Sequence, residues 1–221
     1  FYMNNYTSID LKICGITSSE SIITASENNI KTLGFASNNL LGPNTCDDES
    51  IKELIKECNE YKIETVLLSR YQSTLELIKQ IDYTKPKTIA CSYFFEKSDL
   101  ITLKTVFKKL RIGISVNPET FNFDYFKSIE KLINVFYYDL NVYTKNNIKT
   151  FTVEESKNQI LKLKKLHKTI YVGGGVDEKN AEAIIKHTQP NGIDISRGIK
   201  DQNNNLCENK LNNLLKILSA S

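Results

Sequence analysis

Eight short apolar runs alternate with eight longer segments of helical period along most of the chain. The runs are rich in β-branched and aromatic residues, and one amphipathic stretch follows each of them, which predicts strand–helix units around a parallel sheet. The predicted strands span residues 10–14, 31–35, 64–69, 87–91, 111–116, 134–139, 169–172 and 192–195. The predicted helices span residues 18–28, 48–60, 73–81, 98–110, 123–132, 154–167, 178–187 and 206–218.

Eight such units in 221 residues are enough to close a (β/α)8 barrel, whereas an open doubly wound sheet usually has fewer strands. The predicted fold class is therefore α/β, a single-domain (β/α)8 barrel over residues 10–221, because no linker-like composition divides the chain. Residues 1–9 are expected to be an N-terminal extension or a remnant of expression. Asp47, Ser98 and Asp177 are the expected N-caps of the second, fourth and seventh helices.

With 40% hydrophobic and 25% charged residues, the composition is typical of a soluble globular protein. The formal charge of +3 is spread over many lysines, so nucleic acid binding is not expected. No apolar stretch approaches the roughly 20 residues that span a bilayer. A signal peptide is not recognised, so we expect a cytoplasmic protein without a membrane partner. A monomer is expected because the sequence shows no obvious exposed apolar stripe. Five cysteines without a CxxC pair predict free thiols and no metal site.

In a (β/α)8 barrel, functional residues lie at the C-terminal ends of the strands. The seventh and eighth predicted strands end in "GGG" at 173–175 and "SRG" at 196–198. Glycines in these two loops allow a phosphate group to approach the backbone, and this predicts a phosphate ester as ligand. The triplet is also compatible with a simple tight turn. Arg197 either adds a positive charge to the site or points to solvent.

Two other strand ends carry groups that move protons. Cys14 ends the first strand in "DLKICGIT", and Asp139 ends the sixth in "NVFYYDL". Cys14 is either a small buried side chain or a base. Asp139 is either a structural hydrogen-bonding group or a proton donor whose pKa is raised by apolar neighbours. A base and an acid on opposite sides of a barrel mouth are the arrangement that an isomerase needs.

The segments "LKICGIT" at 11–17, "LGF" at 33–35, "GGGVDEKNA" at 173–181 and "GIDISRGI" at 192–199 occur in this order along the chain. Together they resemble phosphoribosylanthranilate isomerase, a (β/α)8 enzyme of tryptophan biosynthesis. The resemblance implies an Amadori rearrangement of N-(5-phosphoribosyl)anthranilate to 1-(2-carboxyphenylamino)-1-deoxyribulose 5-phosphate, with no metal and no cofactor.

The same resemblance implies roles for individual residues. Cys14 would be the general base that removes the proton from C2 of the sugar, and Asp139 the general acid that protonates the ring oxygen. Asp194 would contact the sugar hydroxyls or the bridging amine. The phosphate would be surrounded by Gly174, Gly175, Ser196 and Gly198. The implied partner is a small phosphosugar substrate.

Three segments depart from the family pattern. The family usually has "SPR" or "SKR" after the second strand, where the arginine holds the anthranilate carboxylate, but "ASNNLLGPNTCDDES" at 36–50 has no arginine. "ACSYFF" at 90–95 stands in place of "QLHG", and "KNNI" at 145–148 in place of "GGTG". These changes leave open a paralogue that takes another phosphoribosyl amine and a catalytically silent phosphate-ligand binder.

Arg70, just past the third predicted strand, is the candidate replacement for the missing arginine, since a guanidinium binds a carboxylate through two hydrogen bonds. The alternative is a solvated loop arginine. Cys46 lies close to the same loop, either as a packing residue or as part of the site.

Overall fold

The computed structural model describes residues 9–40, 44–71, 73–92, 95–143 and 147–220. The strands are β1 (Asp10–Ile13), β2 (Thr32–Ser37), β3 (Thr45–Cys46), β4 (Glu64–Ser69), β5 (Thr88–Cys91), β6 (Arg111–Val116), β7 (Val135–Asp139), β8 (Asn141–Tyr143), β9 (Ile148–Thr150), β10 (Thr169–Gly173) and β11 (Gly192–Ile195). The α-helices are α1 (Ser19–Glu27), α2 (Asp48–Glu60), α3 (Thr74–Thr84), α4 (Lys97–Val106), α5 (Phe123–Ile129), α6 (Val153–Lys164), α7 (Ala181–Thr188) and α8 (Glu208–Ala220). Two short 3-10 helices, η1 (Pro118–Thr120) and η2 (Arg197–Ile199), complete the described elements.

Eight parallel strands close a barrel in the order β1-β11-β10-β7-β6-β5-β4-β2, and β2 pairs back onto β1. The predicted (β/α)8 barrel is therefore confirmed, and all eight predicted strands belong to it. The short strand β3 extends the sheet beside β2, and β8 and β9 form an antiparallel hairpin after β7. These three strands were not predicted from the sequence, because two or three residues are too few to show a strand period.

The buried apolar side chains form two separate layers. The larger layer lies between the strands and the helices and includes Ile13, Phe35, Ile112, Ile160 and Leu214. The smaller layer fills the barrel interior with Val66, Ala90, Val135, Tyr137 and Tyr171. A Cβ at Gly113 or Gly192 would come closer than 3.0 Å to the ring of Tyr137 or Tyr171, respectively. These two glycines therefore make room for two tyrosine rings inside the barrel.

The helix starts confirm one expected cap and correct two. Asp47 caps α2, and its carboxylate accepts the backbone N–H three residues later at 2.8 Å. The expected cap Ser98 is wrong, because Glu96 is the N-cap of α4 and forms a reciprocal capping box there. The expected cap Asp177 is also wrong. Asn180 is the N-cap of α7, because the chain first makes a turn over residues 177–180.

Residues 1–8 of the expected N-terminal extension lie outside the described residues. Ile9 is described, and it packs against the larger apolar layer. Within the described ranges, no helix combines the length and apolar character needed to cross a bilayer.

Candidate active site

A cavity of about 190 Å³ opens at the C-terminal mouth of the barrel. It is lined by Cys14 and Asp139, the candidate base and acid, and by Asp194, the candidate for contact with the sugar or the amine, so candidates from three different strands meet at one place. All five candidate phosphate-binding residues also line it: Gly174, Gly175, Ser196, Arg197 and Gly198. Arg70 is not one of the described residues that line the cavity. Its side chain is exposed just after β4, and its backbone N–H donates to Asn39 Oδ1 at 3.0 Å.

The strand register aligns four residues across β7, β10, β11 and β1. Asp139 pairs with Gly173, and Lys12 pairs with Asp194. The pairing of β10 with β11 brings Gly173 next to Asp194, and a Cβ at Gly173 would lie 3.1 Å from the Asp194 Cβ. The missing side chain at Gly173 thus leaves space between two carboxyl groups that face the same cavity.

Cys14 is the first residue after β1, and its backbone N–H donates to the carbonyl of Ile195 at 2.8 Å. A Cβ at Gly34 on the neighbouring strand would be only 3.0 Å from the Cys14 sulfur, so this glycine makes room for the thiol. Burial raises the pKa of the Cys14 thiol, and the Asp194 carboxylate adds to the increase, whereas Lys12 and Lys200 oppose it. The two cations therefore favour the charged form of a thiol whose pKa remains above its ordinary value.

Lys12 belongs to the site although the sequence did not predict it there. Its side chain is fully buried, and Nζ lies 2.6 Å from Asp194 Oδ2 and 4.9 Å from the centroid of the Tyr137 ring. Although burial disfavours the charge, the Asp194 carboxylate keeps the pKa of Lys12 above its ordinary value. The signal was present in the sequence, because a lysine two residues before Cys14 in a strand faces the same side as the thiol.

Asp139 is partly buried at the end of β7. Burial raises the pKa of its carboxyl group from 3.8 to about 6, and Asp194 adds to the increase. The backbone N–H of Asn141 donates to Asp139 Oδ1 at 2.8 Å, and this hydrogen bond lowers the pKa. A carboxyl group with this pKa is present in both protonation states near neutral pH, as a general acid requires.

The loop after β10 offers backbone donors to an anion. Gly174 and Gly175 have φ angles of +93° and +75°, a backbone conformation that side chains rarely adopt. In the described part of the chain, no oxygen accepts a hydrogen bond from the backbone N–H groups of Gly174, Gly175 and Val176. The loop after β11 packs against this one, since a Cβ at Gly198 would meet the carbonyl of Val176. The exposed Arg197 side chain lies at the same rim.

Asp194 supplies an acceptor to the cavity. Its Oδ2 accepts the hydrogen bond from Lys12, whereas its Oδ1 is buried and has no hydrogen-bond partner among the described residues. A buried carboxylate oxygen without a donor is costly, and a hydroxyl or amine of a ligand would satisfy it.

The segments that depart from the family pattern are described only in part. Residues 41–43, 93–94 and 144–146 lie outside the described residues. Cys46 is half-buried in β3, and burial raises the pKa of its thiol. Tyr143, on the β8–β9 hairpin, lines the cavity although 58% of its surface is exposed. No cluster of His, Cys, Asp or Glu suited to a metal ion occurs among the residues that the structure describes.

No protein-family model matches this sequence, and no curated protein sequence matches it. Among solved structures, phosphoribosylanthranilate isomerase from Pyrococcus furiosus superposes with a TM-score of 0.76 at 20% identity, covering 96% of this chain and 100% of the other. The fold is shared with phosphoribosylanthranilate isomerases.

A second solved isomerase, in complex with reduced 1-(o-carboxyphenylamino)-1-deoxyribulose 5-phosphate, gives a TM-score of 0.70 at 14% identity, with 96% and 100% coverage. KGPDC from Streptococcus mutans superposes with a TM-score of 0.68 at 12% identity, covering 96% of this chain and 98% of the other. Differently named proteins thus share this barrel, so the fold alone does not assign an activity.

Proposed function

We propose that this chain is a phosphoribosylanthranilate isomerase, which converts N-(5-phosphoribosyl)anthranilate into 1-(2-carboxyphenylamino)-1-deoxyribulose 5-phosphate in tryptophan biosynthesis. The observation that carries the proposal is that Cys14, Asp139 and the two glycine-bearing loops line one cavity. The complex of a solved isomerase of the same fold with a reduced form of this product supports it. We further propose that the enzyme works in the cytoplasm as a monomer.

Asp139 is assigned the first step. Its protonated carboxyl group donates to the ring oxygen of the ribose, the bond from that oxygen to C1 breaks, and a protonated Schiff base forms at C1. The raised pKa of about 6 supports this role, because a substantial fraction of the carboxyl groups holds a proton near neutral pH.

Cys14 is assigned the second step. The Schiff base makes the C–H bond at C2 acidic, so that a thiolate can take this proton. The electron pair of that bond forms the C1–C2 double bond while the C1–N double-bond pair moves to nitrogen. The resulting enol becomes the ketone when C1 gains a proton and the C2 hydroxyl loses one. The thiolate, not the thiol, is the active base. The cations Lys12 and Lys200, which oppose the increase in the thiol pKa, support the assignment.

The rest of the site is assigned to binding. The unpaired Oδ1 of Asp194 would accept a hydrogen bond from a sugar hydroxyl or from the bridging amine. The phosphate would be bound by the backbone N–H groups of residues 174–176, which have no acceptor among the described residues. Ser196, Gly198 and the guanidinium of Arg197 would complete this site. Arg70 would bind the carboxylate of the anthranilate.

A second candidate is a paralogue that performs the same rearrangement on a different phosphoribosyl amine. It is favoured by the absence of an arginine from residues 36–50 and by the position of Arg70 outside the cavity lining. A catalytically silent binder of phosphate ligands is the third reading. It gives no reason for an acid and a thiol to face one cavity.

The test is steady-state turnover of freshly generated phosphoribosylanthranilate, followed through its loss of fluorescence. We expect turnover by the unaltered protein and its loss in Cys14→Ser and Asp139→Asn. Cys207→Ser and Asp124→Asn, which change the same residue types outside the cavity lining, should keep it. A folded protein without turnover would reject the proposal. Direct binding of ribose 5-phosphate by such a protein would then favour the second or third reading.

A further inference from the structure

Lys200 is a buried cation at the junction between the candidate base and the candidate phosphate loop. It directly follows η2, and only 4% of its surface is exposed. Its Nζ donates to the carbonyl of Cys14 at 2.8 Å and also to the carbonyl of Gly15. A Cβ at Gly15 would lie 3.1 Å from this Nζ and 3.2 Å from Ser196 Oγ. The ammonium group therefore lies at the end of β1, beside the thiol-bearing residue.

The two cations near the thiol differ in their partners. Lys12 is paired with Asp194 at 2.6 Å, whereas none of the ion pairs among the described residues includes Lys200. Backbone carbonyls solvate the Lys200 ammonium but do not neutralise it. Its charge is thus available to a negative group that forms nearby.

The other charged or titratable groups around Lys200 leave this charge uncompensated. The carboxylate of Asp201, the next residue, accepts hydrogen bonds from the backbone N–H groups of Asn203 and Asn205 within its own loop. Lys210 donates to the Lys200 carbonyl at 3.0 Å and adds a positive charge. From β3, the Cys46 thiol favours the charged form of Lys200, and Asp47 beyond it is exposed and caps α2.

We propose that Lys200 is a positioning residue that acts as the counter-ion of the Cys14 thiolate. The proposal rests on the proposed function in one respect, namely that Cys14 works as a thiolate. Lys200 contacts the backbone of Cys14 and is not one of the described residues that line the cavity. It would act through the charge that it places beside the sulfur.

The chemistry gives such a counter-ion a purpose. Burial raises the pKa of Cys14, and the pKa of Asp139 is about 6, so the form with a thiolate and a protonated carboxyl group is a minority of the molecules near neutral pH. A fall of about one unit in the thiol pKa raises the thiolate fraction about tenfold where the thiol predominates. Burial lowers the pKa of Lys200 to about 8, so its charge is present at neutral pH and is lost above that value.

The experiment measures the Cys14 thiol without relying on turnover. Iodoacetamide alkylation of Cys14 is followed from pH 6 to 11 by mass spectrometry of the peptide that contains it, so the other four thiols do not interfere. The variants are Lys200→Gln, which keeps a donor for the two carbonyls but removes the charge, and Lys200→Met. Lys216→Met, an exposed lysine on α8, is the matched control.

We expect the rate of Cys14 alkylation at pH 7, where Lys200 is charged, to fall roughly tenfold in both Lys200 variants and to stay unchanged in Lys216→Met. Well above pH 8, where Lys200 has lost its charge, the rates of the variants and of the unaltered protein should converge. A purely structural role would lower the melting temperature without changing the rate at pH 7, so an unchanged rate in folded Lys200→Gln would overturn the proposal.

If neither Lys200 variant folds, the pH dependence of the unaltered protein decides. The rate of Cys14 alkylation should rise about tenfold per pH unit up to about pH 8 and more slowly just above it, because Lys200 loses its charge there. A tenfold rise per unit that continues unchanged through pH 8 and 9 would overturn the proposal. A slower rise above pH 8 in a protein that does not turn over phosphoribosylanthranilate would keep the counter-ion and reject the proposed substrate.

Discussion

The ammonium of Lys12 and the carboxylate of Asp194 lie 2.6 Å apart inside the barrel, with 1% and 18% of their side chains exposed. This ion pair joins β1 to β11 directly below the candidate base. It orients the Asp194 carboxylate so that one oxygen is held by the lysine and the other remains for a ligand.

Replacing Lys12 by methionine is expected to destabilise the protein strongly. The change leaves the Asp194 carboxylate without its cation, and breaking a buried pair in this way costs about 3–5 kcal/mol. Urea unfolding at pH 7 measures the loss. The control is Lys149→Met, whose exposed pair with Glu119 at 2.8 Å should contribute no more than about 1 kcal/mol. Equal small losses in both variants would contradict the prediction.

Asp139 is expected to titrate near pH 6 and to make the stability of the fold depend on pH. Because its folded pKa is raised above the ordinary 3.8, its protonated form favours folding, and this contribution is lost as the pH rises from about 4 through about 6. Asp139→Asn stays neutral throughout, so its stability relative to the unaltered protein should increase between pH 4 and pH 7. Urea unfolding at several pH values measures this, and a constant difference would argue against the raised pKa.

Gly174→Ala is expected to be more harmful than Gly175→Ala. A Cβ at Gly174 would come closer than 3.0 Å to Asp139 Oδ1, and the backbone φ is also positive, so we expect a loss of about 3 kcal/mol and a displaced carboxyl group. At Gly175 the nearest atom is 3.3 Å away, which leaves only the backbone strain of about 1 kcal/mol. Thermal unfolding of the two variants provides the comparison. Equal losses of stability would show that the Asp139 side chain moves away from the new Cβ at little cost.

Arg197→Ala is expected to weaken phosphate recognition. A charged hydrogen bond contributes about 1.5–3 kcal/mol, so inhibition of turnover by ribose 5-phosphate should weaken about tenfold or more. The inhibition constant is the measurement. Arg70→Ala, which removes the same group outside the cavity lining, is the control and should leave this constant unchanged. If Arg197→Ala left it unchanged as well, the guanidinium would have no part in binding the phosphate.

Arg70→Ala tests the carboxylate assignment separately. If Arg70 binds the anthranilate carboxylate, its removal should raise the KM for phosphoribosylanthranilate by about tenfold, since a charge-assisted pair is lost, while kcat changes little. Steady-state kinetics on both variants separate this effect from that of Arg197. An unchanged KM would leave the amine end of the substrate without a cation from Arg70 and would favour the altered-amine reading.

The sequence predicted the barrel well because its strands and helices carry their own periodicity. The strands 64–69, 111–116 and 192–195 have the predicted bounds, as does the helix 48–60. Other helix ends differ from the predicted ones, because neighbouring residues can supply the cap or the turn instead. Glu96 displaced Ser98 as a cap, and α4 ends at Val106 rather than at residue 110 because the chain turns there to enter β6.

In the candidate site too, the sequence predicted some residues and not others. Cys14 and Asp139 were recognisable because they end predicted strands, and the glycine loops because of their composition. Lys200 gave no such signal. It follows η2 in a polar segment, and only the folded chain brings its ammonium to carbonyls 186 and 185 positions away in sequence.

The sequence by itself determined that this chain forms a (β/α)8 barrel and which strand ends carry an acid, a thiol and glycines, because hydrophobic period and turn chemistry are local properties. Only the tertiary structure decided which charges meet. The register of β1 against β11 pairs Lys12 with Asp194, and the missing side chain at Gly174 leaves room for the Asp139 carboxyl group. Distance and burial set the strength of such interactions, and both arise only when the barrel closes.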